Sequence, residues 1–386
     1  MSGGSGIPRR NVRWPALAAT LTAGVVVIGG LLTAPGESAT GPATERPAAA
    51  EAVGQGWHSV PVPLARGDLT AVAALDARRA WAVGHRLTGN STAEAVALRW
   101  DGTAWRQEST LPERSWPQTL AVRADGDLWA AGGPGAAHHW NGTAWTTHQL
   151  AAQPGGRVVP DALATAPDGT VWLAGRALAG AVKDGRPAVQ SWDGTAWRHH
   201  ALPDTGRGEL TAVTAVAPDD VWAVGATWAG RGSGQSALLF HYDGRAWTRV
   251  AAPPAAPGEH RWLSAVGGAG HGELWAVGGA LTTGGVERPY AARWDGTRWR
   301  TAPTPPVADG RLRSVVRAGD GTVWAAGGKG AVSVLLRWDA RLRQWSRAQD
   351  AGVTVRGLSA VPGTASLWTV GISRTTDLTP ATALRP

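Results

Sequence analysis

The sequence predicts an all-β fold: a closed ring of seven four-stranded antiparallel sheets. Three observations predict it. A tryptophan inside a "[VL]W-A-[VA]-G"-like segment recurs at positions 81, 129, 172, 222, 275, 324 and 368, spaced 43 to 53 residues apart. A hexapeptide, WDGTAW at 100–105, returns as WNGTAW at 140–145, WDGTAW at 192–197, YDGRAW at 242–247 and WDGTRW at 294–299. Finally, the two ends complete each other. The last unit runs into ATALRP without its hexapeptide, while GQGWHSVPVPLAR at 54–66 begins with the closing Trp of a unit that has no start.

The first element is not part of the ring. Arg9, Arg10 and Arg13 precede an uncharged stretch at 14–36, apolar over about 16–34. Basic residues ahead of an apolar run are the pattern of an export signal, and the run is nearly long enough to span a bilayer. Residues 1–36 are therefore expected to be a cleaved signal or a retained membrane anchor. Either way the positive-inside rule places the remainder outside the cytoplasm, secreted or anchored. Residues 37–55 form an Ala/Pro/Gly-rich linker, and 56–386 the folded domain.

Each unit then reads as a short alternating segment, a turn, the tryptophan segment, a variable loop, "A-L-x-x-W", Asp-Gly, "x-x-W" and a connection with Pro and Arg. Such strands cannot bury both faces alone, so each unit is expected to be one four-stranded sheet. Asp-Gly between apolar segments predicts a two-residue hairpin turn with positive φ at both central residues. WDARLRQW at 338–345 predicts a wider turn. An open array would leave sheet edges bare, whereas complementary ends close a ring, a seven-bladed β-propeller whose last blade is completed by a strand near Trp57.

Gly-Gly at 132–133, 278–279 and 327–328, followed by an aromatic-Asp pair and then Trp, Pro and Arg, resembles the kelch repeat and the galactose-oxidase propeller over 57–386. The resemblance implies a propeller fold. It does not carry oxidation, because galactose oxidase-like chemistry needs a Cys–Tyr crosslink at copper and the chain contains no Cys. It also implies that the arginine ahead of each blade is structural.

Those arginines are Arg66, Arg114, Arg157, Arg207, Arg261, Arg311 and Arg356. They are candidate ligand contacts if they form a basic rim. Of 23 Trp, all but Trp14, Trp116, Trp228 and Trp262 occupy repeat positions that suit a core. Trp116 and Trp262 are expected in connections between blades and Trp228 in a loop, all on one side. That side also collects Arg86, Arg176, Lys183, Arg186, Arg231, Arg288, Lys329 and Arg374. The other collects turn carboxylates such as Asp76, Asp101, Asp125 and Asp193. A basic, Trp-bearing face attracts an anionic partner.

No catalytic or metal-binding set emerges. His138–His139 and His199–His200 are adjacent pairs, which on a strand point to opposite faces. The formal charge of +8 rests almost wholly on arginine, since Lys183 and Lys329 are the two lysines, and is not read as nucleic-acid binding. The expectation is a monomeric, cofactor-free, non-catalytic binding or scaffold propeller, engaging an anionic surface polymer or a protein through that face. The alternative is a polysaccharide hydrolase or lyase at the channel mouth, with Asp161 and a second acid.

Overall fold

The computed structural model describes residues 56–89, 92–113, 115–180, 185–228, 234–268, 270, 272–303, 305–330, 332–374 and 379–386. The signal and linker lie outside these residues, as does Arg114. Seven four-stranded antiparallel sheets follow one another around a ring. Blades 1 to 6 span residues 67–110, 119–149, 157–200, 208–249, 260–301 and 311–347. Blade 7 takes three strands from 353–385 and its outermost from His58–Val60, which pairs antiparallel with the last strand, Ser59 opposite Ala383. The ring is thus closed by joining the two ends of the folded chain, as the sequence predicts.

The first strand of each blade lies innermost, against the first strands of its neighbours. In six blades it carries a bulge beside the second-strand glycine, at Thr70, Asp161, Thr211, Ser264, Arg313 and Arg356, while in blade 2 the irregularity falls at Arg123. The bulge pushes a first-strand carbonyl against the second strand, and glycine is the residue found there. An ideal Cβ on Gly84, Gly175, Gly225, Gly278, Gly327 or Gly371 would lie 2.0–2.2 Å from that carbonyl oxygen. This close approach explains the glycine that ends every "W-A-V-G" segment.

The repeated hexapeptide makes a different turn from the two-residue one expected. Trp100 pairs with Trp105, so four residues form the loop, and Gly102 alone has positive φ (95°). Asp101 stays in an ordinary conformation because its carboxylate caps the turn instead, accepting bonds from Thr103 N, Thr103 Oγ1 and Ala104 N at 2.7–2.9 Å. Those bonds, with the Arg106 guanidinium, hold the Asp101 carboxyl well below the usual carboxylate range. Asp193 and Asp295 repeat the arrangement, and Asn141 reproduces it without charge. Side-chain capping thus does the work assigned to backbone twist. In blade 6 the loop is wider, and Arg343 adopts φ 51°.

Six apolar clusters bridge every pair of neighbouring blades, including blade 7 with blade 1. Their recurring contact is an edge-on tryptophan pair. The closing Trp of one blade meets the second-strand Trp of the blade before it: Trp197 on Trp129, Trp247 on Trp172, Trp299 on Trp222, Trp345 on Trp275 and Trp105 on Trp368, with ring centroids 5.1–5.6 Å apart. Trp57 on Trp324, at 6.4 Å and 86°, supplies the same contact at the closure. Buried hydroxyls add ties between blades: Thr70 Oγ1 donates to Pro117 O (2.9 Å) and Thr211 Oγ1 to Leu263 O (2.7 Å).

Trp57 is 9% exposed. Trp57→Ala is expected to cost about 3–5 kcal/mol, the range for truncating a buried aromatic, because it opens the closure. Urea unfolding of the two proteins measures it; a loss under ~1 kcal/mol would show that the closing contact is dispensable.

Candidate functional site

One face of the ring is formed by the inter-blade connections together with the loops between second and third strands. The register brings these together: Gly67 lies opposite Arg86, and Leu87 opposite Ala93. Most of the candidate residues sit here, but their charges are largely spoken for. Arg86 pairs with Glu94 (2.5 Å), Arg186 with Asp204 (3.3 Å), Lys329 with Asp309 (2.5 Å) and Arg374 with Asp350. Among the seven connection arginines, Arg261 bonds Glu259 (2.7 Å) and Pro254 O and lies over the Tyr290 ring at 4.6 Å. Arg311 approaches Glu287 (3.9 Å), and Arg356 approaches Asp68 across the blade 7–blade 1 junction (3.3 Å). Arg66 and Arg157 are exposed at the start of blades 1 and 3, without an ion pair among the described residues. Arg207 is exposed at the start of blade 4, its carbonyl accepting the Trp228 N–H.

The opposite face is balanced in the same way. Asp76 pairs with Arg79, Asp125 with Arg99, Asp127 with Arg123, and Asp193 with Arg198. The charge separation expected between the two faces is therefore cancelled locally. Sequence order hides this because many partners come from other strands or other blades.

At the inner strands, Arg176 Nη1 lies 2.8 Å from Asp161 and 2.7 Å from Glu209, joining blade 3 to blade 4. Burial lifts the Asp161 carboxyl to about 7 against the pull of Arg176, and Glu209 adds to the rise. Asp68 is lifted to about 6, again by burial and against Arg356. Glu209 is the second acid that the sequence does not pair with Asp161; only the bulge and the blade junction bring it there.

The three unpatterned tryptophans separate. Trp262 lies in the first strand of blade 5, His260–Gly268, with its ring over Gly279, where a Cβ would come within 2.3 Å of it. Trp228 ends the second strand of blade 4, Asp220–Trp228, opposite Gln235. Both are half-buried strand residues rather than loop residues. Trp116 alone stands out from the surface: it is 53% exposed, in the connection into blade 2. Its ring lies on His85 with centroids 4.0 Å apart. Burial pushes His85 down to about 4, so the imidazole beneath Trp116 is neutral at physiological pH. A flat indole braced from below loses little freedom on binding, which is what an interface anchor requires.

Other polar groupings lack catalytic geometry. Ser115 Oγ donates to Pro112 O (2.5 Å), so at His138 Nε2 (3.0 Å) it accepts, and a protonated Nε2 is no base for that hydroxyl. His139 faces the other way, bonded to Asp127 (2.8 Å) and stacked on Trp129. No group of three metal-ligating side chains occurs among the described residues.

An acid whose pKa rises on folding stabilises fully below its unfolded pKa near 4 and loses that contribution as pH rises through its folded pKa. Asp161 should therefore erode stability between pH 4 and 7, and Asp161→Asn should flatten that loss. His85 acts oppositely in this window but is common to both proteins. Urea midpoints at pH 4.5 and 7.5 decide; equal pH dependence in parent and variant would refute the assignment.

No family model matches this chain, and no curated protein does. Solved structures do. YCF48 bound to D1 peptide superposes with a TM-score of 0.56 at 16% identity, covering 85% of this chain and 94% of that one. YCF48 from Cyanidioschyzon merolae gives 0.55 at 15%, over 86% and 98%. The WD40 propeller domain of Doa1 gives 0.55 at 9%, over 86% and 97%. At such identities the likeness establishes the fold, a seven-bladed β-propeller.

Proposed function

We propose that this chain is a non-catalytic binding scaffold that engages a protein partner through the inter-blade face, with Trp116 as its anchor. The carrying observation is the exposed Trp116 ring braced on a neutral, buried His85. Of the two partner classes the sequence suggests, protein is favoured over an anionic polymer because most arginines on that face are already paired. Exposed ion pairs lend specificity at a rim but little free positive charge. A propeller with a bound peptide among the structural neighbours supports the reading at the level of fold. The chain is read as exported or anchored by residues 1–36, and its repeat as kelch-like.

A photo-crosslinking residue at position 116, in cells that make the protein, should yield a discrete protein adduct. The same residue at exposed position 342, in the blade 6 turn, should not. A glycan adduct at 116 would move the reading to a polymer, and no adduct would overturn it. A protease added outside intact cells should digest the propeller; protection would overturn the extracytoplasmic placement.

The convergence of Asp161 and Glu209 favours a second reading, a hydrolase or lyase at the channel mouth, since paired carboxylates are the usual glycosidase device. Against it, Arg176 occupies the space between them. Release of reducing ends from acidic polysaccharides, abolished by Glu209→Gln, would establish it; absence of release leaves the binding reading.

A further inference from the structure

The seam between blades 6 and 7 breaks the pattern of the ring. In five of the other six seams the aromatic that ends a third strand packs on the second-strand Trp of the preceding blade: Trp100 on Trp368, Trp192 on Trp129, Tyr242 on Trp172, Trp294 on Trp222 and Trp338 on Trp275, with centroids 4.7–5.1 Å apart. In blade 7 that register position, opposite Leu367, holds Arg385. Its guanidinium lies over the Trp324 ring at 4.7 Å. The fourth strand arrives from the other end of the folded chain, so no hairpin covers this place either. A cavity of about 170 Å³ results.

Its lining is cationic. Arg337 and Arg347 join Arg385, with the Gln349 amide, the Ser346 hydroxyl and the rings of Trp57 and Trp324. No carboxylate lines it, and none of the three arginines has an ion pair among the described residues. The other blades make this unusual. Arg337 lies opposite Trp324 in register, and where that position holds arginine in another blade it has a carboxylate partner, Arg99 with Asp125 and Arg293 with Glu273; His139 and His241, at the same position, contact Asp127 and Asp220. Arg347 Nε and Arg385 Nη1 are fixed by Pro306 O and Ala365 O, so these guanidinium groups are pre-positioned. Burial lowers the pKa of Arg385; Asp320 opposes this and Arg337 adds to it. Asp320 is itself engaged in capping its own turn at Thr322 N (2.8 Å).

We propose that this seam is an anion-binding site for a tetrahedral oxyanion, a phosphate or sulfate group held by Arg337, Arg347 and Arg385. Guanidinium donors arranged around a small cavity suit such oxygens by charge and by bond geometry. The site lies at the outer wall, away from Trp116, so it is separate from the partner face and stands or falls on its own.

Isothermal titration of the whole protein with inorganic phosphate, at physiological salt, tests it. Saturable binding is expected, at least tenfold weaker in Arg337→Gln/Arg347→Gln. Arg385→Trp restores the ring found in the other blades and should abolish binding while leaving the protein folded by circular dichroism. Arg313→Gln, in the channel, should leave binding unchanged. Glycerol phosphate is the second probe: tighter binding than phosphate marks an ester site, and equal binding a free-ion site. No saturable binding, or loss in Arg313→Gln without loss in the seam variants, would overturn the proposal.

Discussion

The tryptophan-on-tryptophan contact between successive blades is the constraint on which the molecule depends. A four-stranded sheet has two faces, and in a ring both must be covered by neighbours. Six of the seven second-strand indoles receive the closing indole of the next blade edge-on, a geometry favoured by the ring quadrupole. A repeat of this contact fixes the relative rotation of adjacent blades. The ring leaves two of these contacts to residues far apart in sequence: Trp105 on Trp368 and, at the closing strand, Trp57 on Trp324. The strand His58–Val60 then follows because the indole has already placed it beside the last strand.

The blade number, the closure and the core were legible because they are properties of periodicity, and the tryptophans mark it. Local chemistry was legible only in part. Asp-Gly in WDGTAW correctly signalled a turn, yet the mechanism differs. Asp101 contributes its side chain rather than an unusual backbone, and Thr103 is as much part of the motif as the glycine. The strand assignments of Trp228 and Trp262 were missed because the first and second strands of blades 4 and 5 begin and end further out than their apolar runs suggest. Glycine provided a readable but unread signal for one of them: Gly279 is needed because the Trp262 ring rests on it.

Charge was the least legible property. Counting residues by loop gives a basic face and an acidic one, but pairing depends on which loops adjoin. Asp68 and Arg356 are at opposite ends of the folded chain and meet because the ring closes; Glu209 meets Arg176 because blades 3 and 4 adjoin. A field is the sum of all charges, and neighbouring opposite charges cancel within about one Debye length, near 8 Å at physiological salt. In the proposed reading, recognition on the inter-blade face would therefore rest on shape and apolar contact rather than long-range attraction, and there Trp116 has the advantage of area and rigidity.

The seam between blades 6 and 7 is the place where closure and recognition meet. Blade 7 cannot have the hairpin of the other blades, since its outer strand enters from elsewhere, and it lacks the ring at the end of its third strand. The same two features that complete the propeller thus leave a cavity lined by three arginines at this seam. Trp57 and Arg385 come from the two ends of the folded chain and both line that cavity. An oxyanion bound there touches a site that exists only while the ring is shut. Binding to the closed state alone stabilises it by mass action, by about 2.7 kcal/mol at a hundredfold excess over Kd. If the seam binds an oxyanion as proposed, its occupancy and the integrity of the ring would be linked, and the ligand would act as a latch on the closing strand.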